Sequence, residues 1–160
     1  MAALRRWRVR LNGDSGAEIV EFAVTLPLLL LIVLGIIEFG LVFREYEVVT
    51  NAAREGARIA ILQGGVGGYD DADVVARVED YLTTAGMDLS LADVDPGDPV
   101  PTPVGAGGAC VSMVPVTVTY DHPVLFLSGI ADFFGTTIGT MTLTATSSMR
   151  TEVSAGACPP

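Results

Sequence analysis

Basic residues are scarce in this 160-residue chain, and none of them is lysine. Nine arginines stand against nineteen aspartates and glutamates, which gives a formal net charge of −10. Because affinity for phosphates comes from clustered Lys and Arg, this balance argues against a nucleic-acid partner. The single histidine and two cysteines are too few for a usual zinc site of about four ligands, and no catalytic motif occurs. The sequence therefore predicts no metal, no cofactor and no enzymatic activity.

Apolar residues, in contrast, make up 50% of the chain. Residues 22–43 carry a single charge, Glu38. A transmembrane helix needs ~20 mainly apolar residues to cross ~30 Å of hydrocarbon, so this run predicts one. Four arginines within the first ten residues predict an N-in, C-out orientation. The run is longer than the core of a cleaved secretory signal and lacks a small-residue cleavage site, so we expect it to stay in the mature protein.

The helical pattern continues beyond the membrane, giving one predicted helix over residues 17–62 before a glycine-rich stretch. Small residues, among them Ala52, Gly56 and Ala60, form one face of its outer half. Such a face packs either against the protein's own sheet or against the helix of a neighbouring subunit, and the sequence leaves both open.

Four polar or kinking positions stand out along the same helix. Pro27 removes a backbone hydrogen bond inside the membrane segment and predicts a kink or local loosening. Glu38 either reaches the outer interface or makes a polar contact with another subunit. Glu55 and Arg58, at i and i+3, are expected to pair weakly.

Residues 63–160 predict a small α+β domain outside the membrane. Aspartates at 70–73 cap a short helix that Gly86 ends. Alternation of apolar residues with threonine predicts strands at 114–120 and 141–149, with a third short strand at 89–94 and a loop over 96–108. Pro115 predicts an edge position or a bulge in its strand. His122 is expected to lie in a loop. The predicted architecture is a long N-terminal helix, one short helix and an antiparallel sheet of three or four strands.

Two further features of this domain carry predictions. Residues 123–135 place Phe126 and Phe133 on one helical face, which either covers the sheet or forms an exposed patch that docks on the membrane or another subunit. Cys110 and Cys158 are predicted to form a disulfide in an oxidising compartment. The aspartates between residues 93 and 98 leave calcium binding open, although the EF-hand spacing is missing.

A processing motif precedes the apolar run. Behind a short basic leader, Gly16 is followed by Ala17, with Glu21 and Phe22 at positions five and six from Ala17. This spacing resembles the class III signal of type IV prepilins. The stretch GAEIVEFAVTLPLLLLIVLGIIEFG, followed by NAAREGARIA, is similar to the TadE-like family of pseudopilins from tight-adherence (Flp-type) pilus systems.

The resemblance implies a type IV pilin-like fold, processing by a peptidase and assembly with other subunits. A membrane prepilin peptidase would remove the leader, residues 1–16, after Gly16, and Glu21 would meet the free amine of Ala17 in a neighbouring subunit. Whether Ala17 is methylated stays open. The implied partners are this peptidase, the major pilin and other minor pilins, the inner-membrane assembly platform and the lipid bilayer.

The implied function is that of a minor pilin or pseudopilin that primes, caps or stabilises a pilus at the cytoplasmic membrane. Whether the chain enters the filament or stays at its base is left open. The alternative is an uncleaved single-pass protein that displays a small binding or adhesion module.

Overall fold

One long helix and a four-stranded antiparallel sheet make up the fold. The computed structural model describes residues 13–62, 70–104, 109–133 and 135–151. The elements follow in the order α1 (Gly13–Ala60), α2 (Asp71–Thr84), a 3-10 turn (Leu89–Leu91), β1 (Ala92–Pro96), β2 (Val100–Val104), β3 (Ala109–Pro123), α3 (Phe126–Phe133) and β4 (Thr140–Arg150). This layout confirms the predicted α+β, pilin-like fold class.

The helix α1 has 48 residues and is about 72 Å long at 1.5 Å per residue. It runs uninterrupted through Pro27. Its first half exposes large apolar side chains such as Val24 (71% exposed) and Ile36 (67% exposed). From Val49 onwards, its inner face is buried against the rest of the chain. The same helix is therefore bare in one half and part of the protein core in the other.

The helix α2 is capped at both ends by its own sequence. The Asp70 carboxylate accepts from the backbone N–H of Asp73, and the Asp73 carboxylate accepts from the N–H of Asp70, which is the predicted acidic cap. Gly86 ends the helix with a φ of +77°, and Met87 N–H donates to the Leu82 carbonyl. Only glycine adopts that φ without strain, so the predicted stop at Gly86 is confirmed.

The strand β3 is the centre of the sheet. One of its edges pairs with β4 over eleven residues, from Met113 opposite Arg150 to Pro123 opposite Thr140. The other edge pairs with β2 over 109–113 and with β1 over 116–120. The two strands predicted from alternation lie inside β3 and β4, and the buried face of β3 carries Val114, Val116, Val118 and Tyr120 as expected.

Two predictions about proline-containing segments are wrong. Residues 96–108 are not all loop, since Val100–Val104 pairs with β3 as a short edge strand in spite of two prolines. Pro115 lies in the central strand, at the gap where β3 changes its partner from β2 to β1. Its carbonyl accepts from Gly97 N–H at 2.9 Å. In an antiparallel sheet, the N–H and C=O of one strand residue point to the same edge. The carbonyl of Pro115 points to the edge shared by β1 and β2, so the N–H that proline lacks would also point there. The pairing of β3 with β4 therefore loses no hydrogen bond.

A third correction concerns the strand predicted at 89–94. Leu89–Leu91 form a 3-10 turn because the Asp88 carboxylate accepts from Ser90 N–H at 2.9 Å, and the strand begins only at Ala92. Such local bonds from Asp compete with strand pairing. The same bond is the main reason why the pKa of Asp88 lies below its usual value.

The core lies between the outer half of α1, α2 and one face of the sheet. It is built from small residues on α1 and from branched or aromatic residues opposite them. Its fully or nearly buried members include Ala52, Ala53, Ala57, Val74, Val78, Leu82, Val116, Val118, Tyr120 and Leu143. The sheet and α2 thus use α1 as the third layer of one core.

Candidate functional site

The processing motif lies on the first turns of α1. The helix begins at Gly13, so the Gly16–Ala17 peptide bond falls within the helix. No heavy atom from outside the local helix lies within 4 Å of where a Cβ on Gly16 would be. Glu21 and Phe22 are exposed, and the Thr25 hydroxyl donates to the Glu21 carbonyl at 3.0 Å. Among the described residues, none obstructs the motif.

The small-residue face of α1 is buried within the same chain. Ala52 and Ala60 are 0% and 1% exposed. A Cβ on Gly56 would come within 2.7 Å of Val78 Cγ2 and 3.1 Å of Val116 Cγ1. Of the two alternatives left open, packing on the protein's own sheet and α2 is the observed one. These three residues do not form a free surface for another subunit in this structure.

Glu38 makes its polar contacts within its own chain. Its side chain is 4% exposed. Its Oε1 accepts from Leu125 N–H at 2.8 Å, and its Oε2 accepts from Phe126 N–H at 2.9 Å. The carboxylate thus occupies the start of α3 and satisfies N–H groups that a helix leaves without an internal partner.

The second partner of Glu38 is His122, which the sequence analysis had predicted to be a loop residue. His122 is 2% exposed near the end of β3. Its Nε2 lies 3.2 Å from Glu38 Oε1, and its Nδ1 lies 2.7 Å from Glu45 Oε2. Each ring nitrogen thus faces one carboxylate. We call Glu38, Glu45 and His122 the polar cluster.

The polar cluster fixes the sheet to α1 near the end of the apolar run. Burial of the phenol is the largest cause that raises the pKa of Tyr120, and the charge of Glu45 is the next. The residue before Glu45 is Arg44, whose guanidinium donates to the Ala85 carbonyl at 2.9 Å, next to the C-terminal end of α2. A cation suits that end of a helix. The domain is therefore tied to α1 by charge-assisted bonds at two neighbouring points.

Glu55 pairs with a partner that the sequence analysis missed. Its Oε1 lies 2.6 Å from Arg77 on α2, in place of the expected contact with Arg58. This hydrogen bond lowers the pKa of Glu55 and raises that of Arg77. The bridge links the outer half of α1 to α2 at the protein surface.

Pro27 and α3 lie on the same side of the molecule. Pro27 lines an apolar groove together with Gly129 and Ile130 of α3. Phe126, at the start of α3, is 40% exposed. The side chain of Phe133, and Phe134 beside it, lie outside the described part of the chain. The segment is helical as predicted, and it runs beside α1.

The predicted disulfide and the possible calcium site have different outcomes. Cys110 lies on β3 and is 5% exposed, but Cys158 lies outside the described residues, so their disulfide stays a prediction. Asp93 and Asp95 point to solvent from β1. Within residues 13–62, 70–104, 109–133 and 135–151, no three His, Cys, Asp or Glu side chains are grouped to hold a metal ion.

The bare half of α1 defines the class of the protein. Among the described residues, α1 is long and apolar enough to cross a membrane, and only 6% of its most apolar 18-residue window is buried. The core helix of a soluble protein would have most of its surface buried by the rest of the chain. The chain is thus a membrane-anchored α+β protein with a pilin-like layout.

One family model matches the sequence of that helix. The family described as TadE-like protein matches residues 16–58, which confirms the predicted resemblance over this part of the chain. No significant match is found among curated proteins or among solved structures.

Proposed function

We propose that the chain is a minor pilin or pseudopilin that takes part in assembling a tight-adherence pilus, and that it has no catalytic activity of its own. The observation that carries this proposal is the family match over residues 16–58. The match begins at Gly16, the proposed scissile residue, and continues through the apolar half of α1 into the small-residue face.

The proposed processing step removes residues 1–16 on the cytoplasmic side. The peptide bond after Gly16 lies near the start of α1, where the first N–H groups have no partner within the helix. Glycines at 13 and 16 and a serine at 15 are poor helix formers, so little free energy opposes unwinding of this turn. A peptidase that needs an extended substrate can therefore bind the segment without disturbing the domain.

The proposed orientation is N-in, C-out. Four arginines precede the apolar run, and the domain that follows it is acidic. Processing leaves residues 17–62 as anchor and scaffold, with 22–43 in the membrane, and residues 63–160 outside the cytoplasmic membrane. The proposed partners are the prepilin peptidase, the major pilin, other minor pilins and the assembly platform.

Glu21 supports the assembly step of this proposal. It is exposed on α1 near the inner end of the apolar run. A carboxylate next to hydrocarbon is costly, and the free amine of Ala17 on a neighbouring subunit would offset that cost. Neither group needs to leave its own helix for this contact.

Processing can be tested with two glycine variants of the same helix. In cells that express a prepilin peptidase, Gly16→Leu is expected to leave the chain at full length. Gly35→Leu is the matched control, because Gly35 also lies on α1 with open space around its Cβ position. We expect the control to be shortened like the wild type. Equal processing of both variants would contradict cleavage after Gly16.

Assembly can be tested with two neighbouring carboxylates. Glu21→Ala is expected to reduce the amount of processed chain that enters pilus complexes, measured by cross-linking to other pilins in the membrane. Glu18→Ala is the control, since Glu18 is equally exposed one turn earlier. If both variants cross-link like the wild type, the role assigned to Glu21 is wrong. If the unmodified chain cross-links to no pilin at all, the uncleaved binding module becomes the better description.

A further inference from the structure

The helix α3 lies beside the membrane-crossing half of α1. The groove between them has a volume of about 550 Å³, and its walls consist of apolar residues and glycine. The lining residues are Pro27, Leu28, Leu30, Leu31 and Leu34 from α1, with Gly129 and Ile130 from α3. No charged residue of the described part of the chain lines it.

The depth of this groove follows from the length of α1. A hydrocarbon core of ~30 Å takes ~20 helical residues. A span of that length that starts at Ala17 ends near Ile36, and one that starts at Phe22 ends near Leu41. Residues 27–34 lie inside both spans. Any bilayer that covers the apolar run therefore reaches the level of α1 that Gly129 and Ile130 contact.

The sequence of α3 suits a helix at the edge of a bilayer. At 100° per residue, Phe126 and Ile130 share one side, while Ser128 and Asp132 lie on the opposite side. Asp132 is exposed. A helix with one apolar and one polar side turns the apolar side toward acyl chains and the polar side toward water or headgroups.

Several backbone groups at the two ends of α3 already have hydrogen-bond partners within the protein, as a hydrocarbon environment requires. The Glu38 carboxylate accepts from Leu125 and Phe126 N–H at its start. At its end, Gly135, with a φ of +73°, donates its N–H to the Asp132 carbonyl, and Thr136 donates to the Ala131 carbonyl. Unsatisfied backbone groups are costly in hydrocarbon, and these contacts remove several of them.

The geometry points to α3 as a membrane-embedded foot of the domain. It lies beside residues 27–34 of α1, within the hydrocarbon, and acyl chains fill the groove beside Pro27 and Ile130. The occupant is lipid because the α1 wall of the groove is continuous with the exposed surface that crosses the bilayer. The polar cluster then has a defined place: its carboxylate closes the start of α3 where the domain meets the hydrocarbon.

Tryptophan fluorescence of the full-length chain in vesicles tests this placement. The sole native tryptophan, Trp7, is first replaced by Phe. Tryptophan is then introduced as Ile130→Trp or, in a second variant, as Phe126→Trp. Ser148→Trp is the control, because Ser148 is exposed near the far end of β4. The vesicles contain phosphatidylethanolamine and phosphatidylglycerol, with or without bromine near the middle of the acyl chains.

We expect brominated lipid to reduce the emission of both α3 variants and to leave the Ser148→Trp emission unchanged. Aqueous acrylamide should quench the control more strongly than the α3 variants. Quenching of the α3 tryptophans by acrylamide alone would place α3 in water and overturn the proposal. Quenching by neither agent would mean that protein, such as a second copy of the chain, covers the groove, which also overturns it. Because the assay does not depend on cleavage after Gly16, its outcome is separate from that of the proposed function.

Discussion

Glu38 and His122 lie 84 positions apart in the sequence, yet Glu38 Oε1 and His122 Nε2 are 3.2 Å apart in the interior of the molecule. This contact joins the membrane helix to the central strand of the sheet. The same carboxylate also holds the first N–H groups of α3. Glu38 therefore holds the domain on its anchor together with the buried face of α1 and the Arg44 contact.

Removing the Glu38 carboxylate should loosen the domain from α1. Glu38→Ala leaves the backbone N–H groups of Leu125 and Phe126 without their acceptor. An unsatisfied buried donor costs about 1–3 kcal/mol, so we expect Glu38→Ala to lower the free energy of unfolding by that order. Glu38→Gln should cost less, because the amide oxygen can still accept one hydrogen bond. Glu47→Ala is the control, since Glu47 is an exposed carboxylate on the same helix. The check is thermal unfolding in detergent by circular dichroism, and equal midpoints for Glu38→Ala and Glu47→Ala would refute the role given to the cluster.

Gly56 should be intolerant of a single added methyl group. In an open helical position, Gly→Ala stabilises by up to ~1 kcal/mol, and Gly40→Ala is expected to do so because nothing lies within 4 Å of its Cβ position. Gly56→Ala instead forces the β-branched Val78 to move and is expected to destabilise the fold by about 1–3 kcal/mol.

A second substitution tests the cause of that loss. Val78→Ala removes the methyl group that the new Cβ would meet, so the Gly56→Ala, Val78→Ala double variant should lose less stability than the sum of the two single variants. The measurement is the unfolding midpoint of all four chains. Strict additivity would show that Gly56 and Val78 are not in contact.

The bridge between Glu55 and Arg77 should give a small pH-dependent contribution. Its hydrogen bond to Arg77 lowers the pKa of folded Glu55 below the ordinary value of 4.5, so the contribution is full above that value and is lost as the pH falls through the folded pKa. Surface pairs contribute little, and we expect Glu55→Gln to lower the unfolding midpoint slightly at pH 7 and not at pH 3. Glu79→Gln, on the exposed side of α2, should show no such difference. A stability loss of equal size at both pH values would contradict this interpretation.

If the predicted disulfide forms, the folded chain should be more stable under oxidising than under reducing conditions. A bridge between Cys110 and Cys158 would contribute roughly 3–4.5 kcal/mol on the loop-entropy model. We expect the extracted chain to resist thiol alkylation until it is reduced, and reduction to lower its unfolding midpoint. Cys110→Ser should have the lower midpoint with or without reductant. Alkylation of both thiols without reductant would rule the bridge out.

Local patterns in the sequence predict much of the fold. The alternation of valines with threonines around residues 116–119 defines a face of β3, and the aspartates before Val74 define the start of α2. These features depend on neighbours along the chain, so the sequence displays them directly. The membrane helix and the processing motif are visible for the same reason.

The polar cluster is not predictable in this way. Glu45 and His122 are 77 positions apart, and neither has a local motif that names its partner. A lone charge in the apolar run and a lone histidine are each a weak signal that a buried partner exists. Pro115 and the strand β2 were predicted wrongly for a related reason. A proline is tolerated in a sheet where no donor is needed, and that depends on which strand lies opposite.

The N-terminal sequence and intact mass of the membrane-extracted chain test the central claim most directly. The chain is expressed with and without a prepilin peptidase, and both products are measured. The proposed function predicts a product of 144 residues (160 − 16 = 144) that starts at Ala17 and forms only when the peptidase is present. A chain that keeps residues 1–16 beside an active peptidase would contradict the pilin pathway and leave a membrane-anchored binding domain as its description.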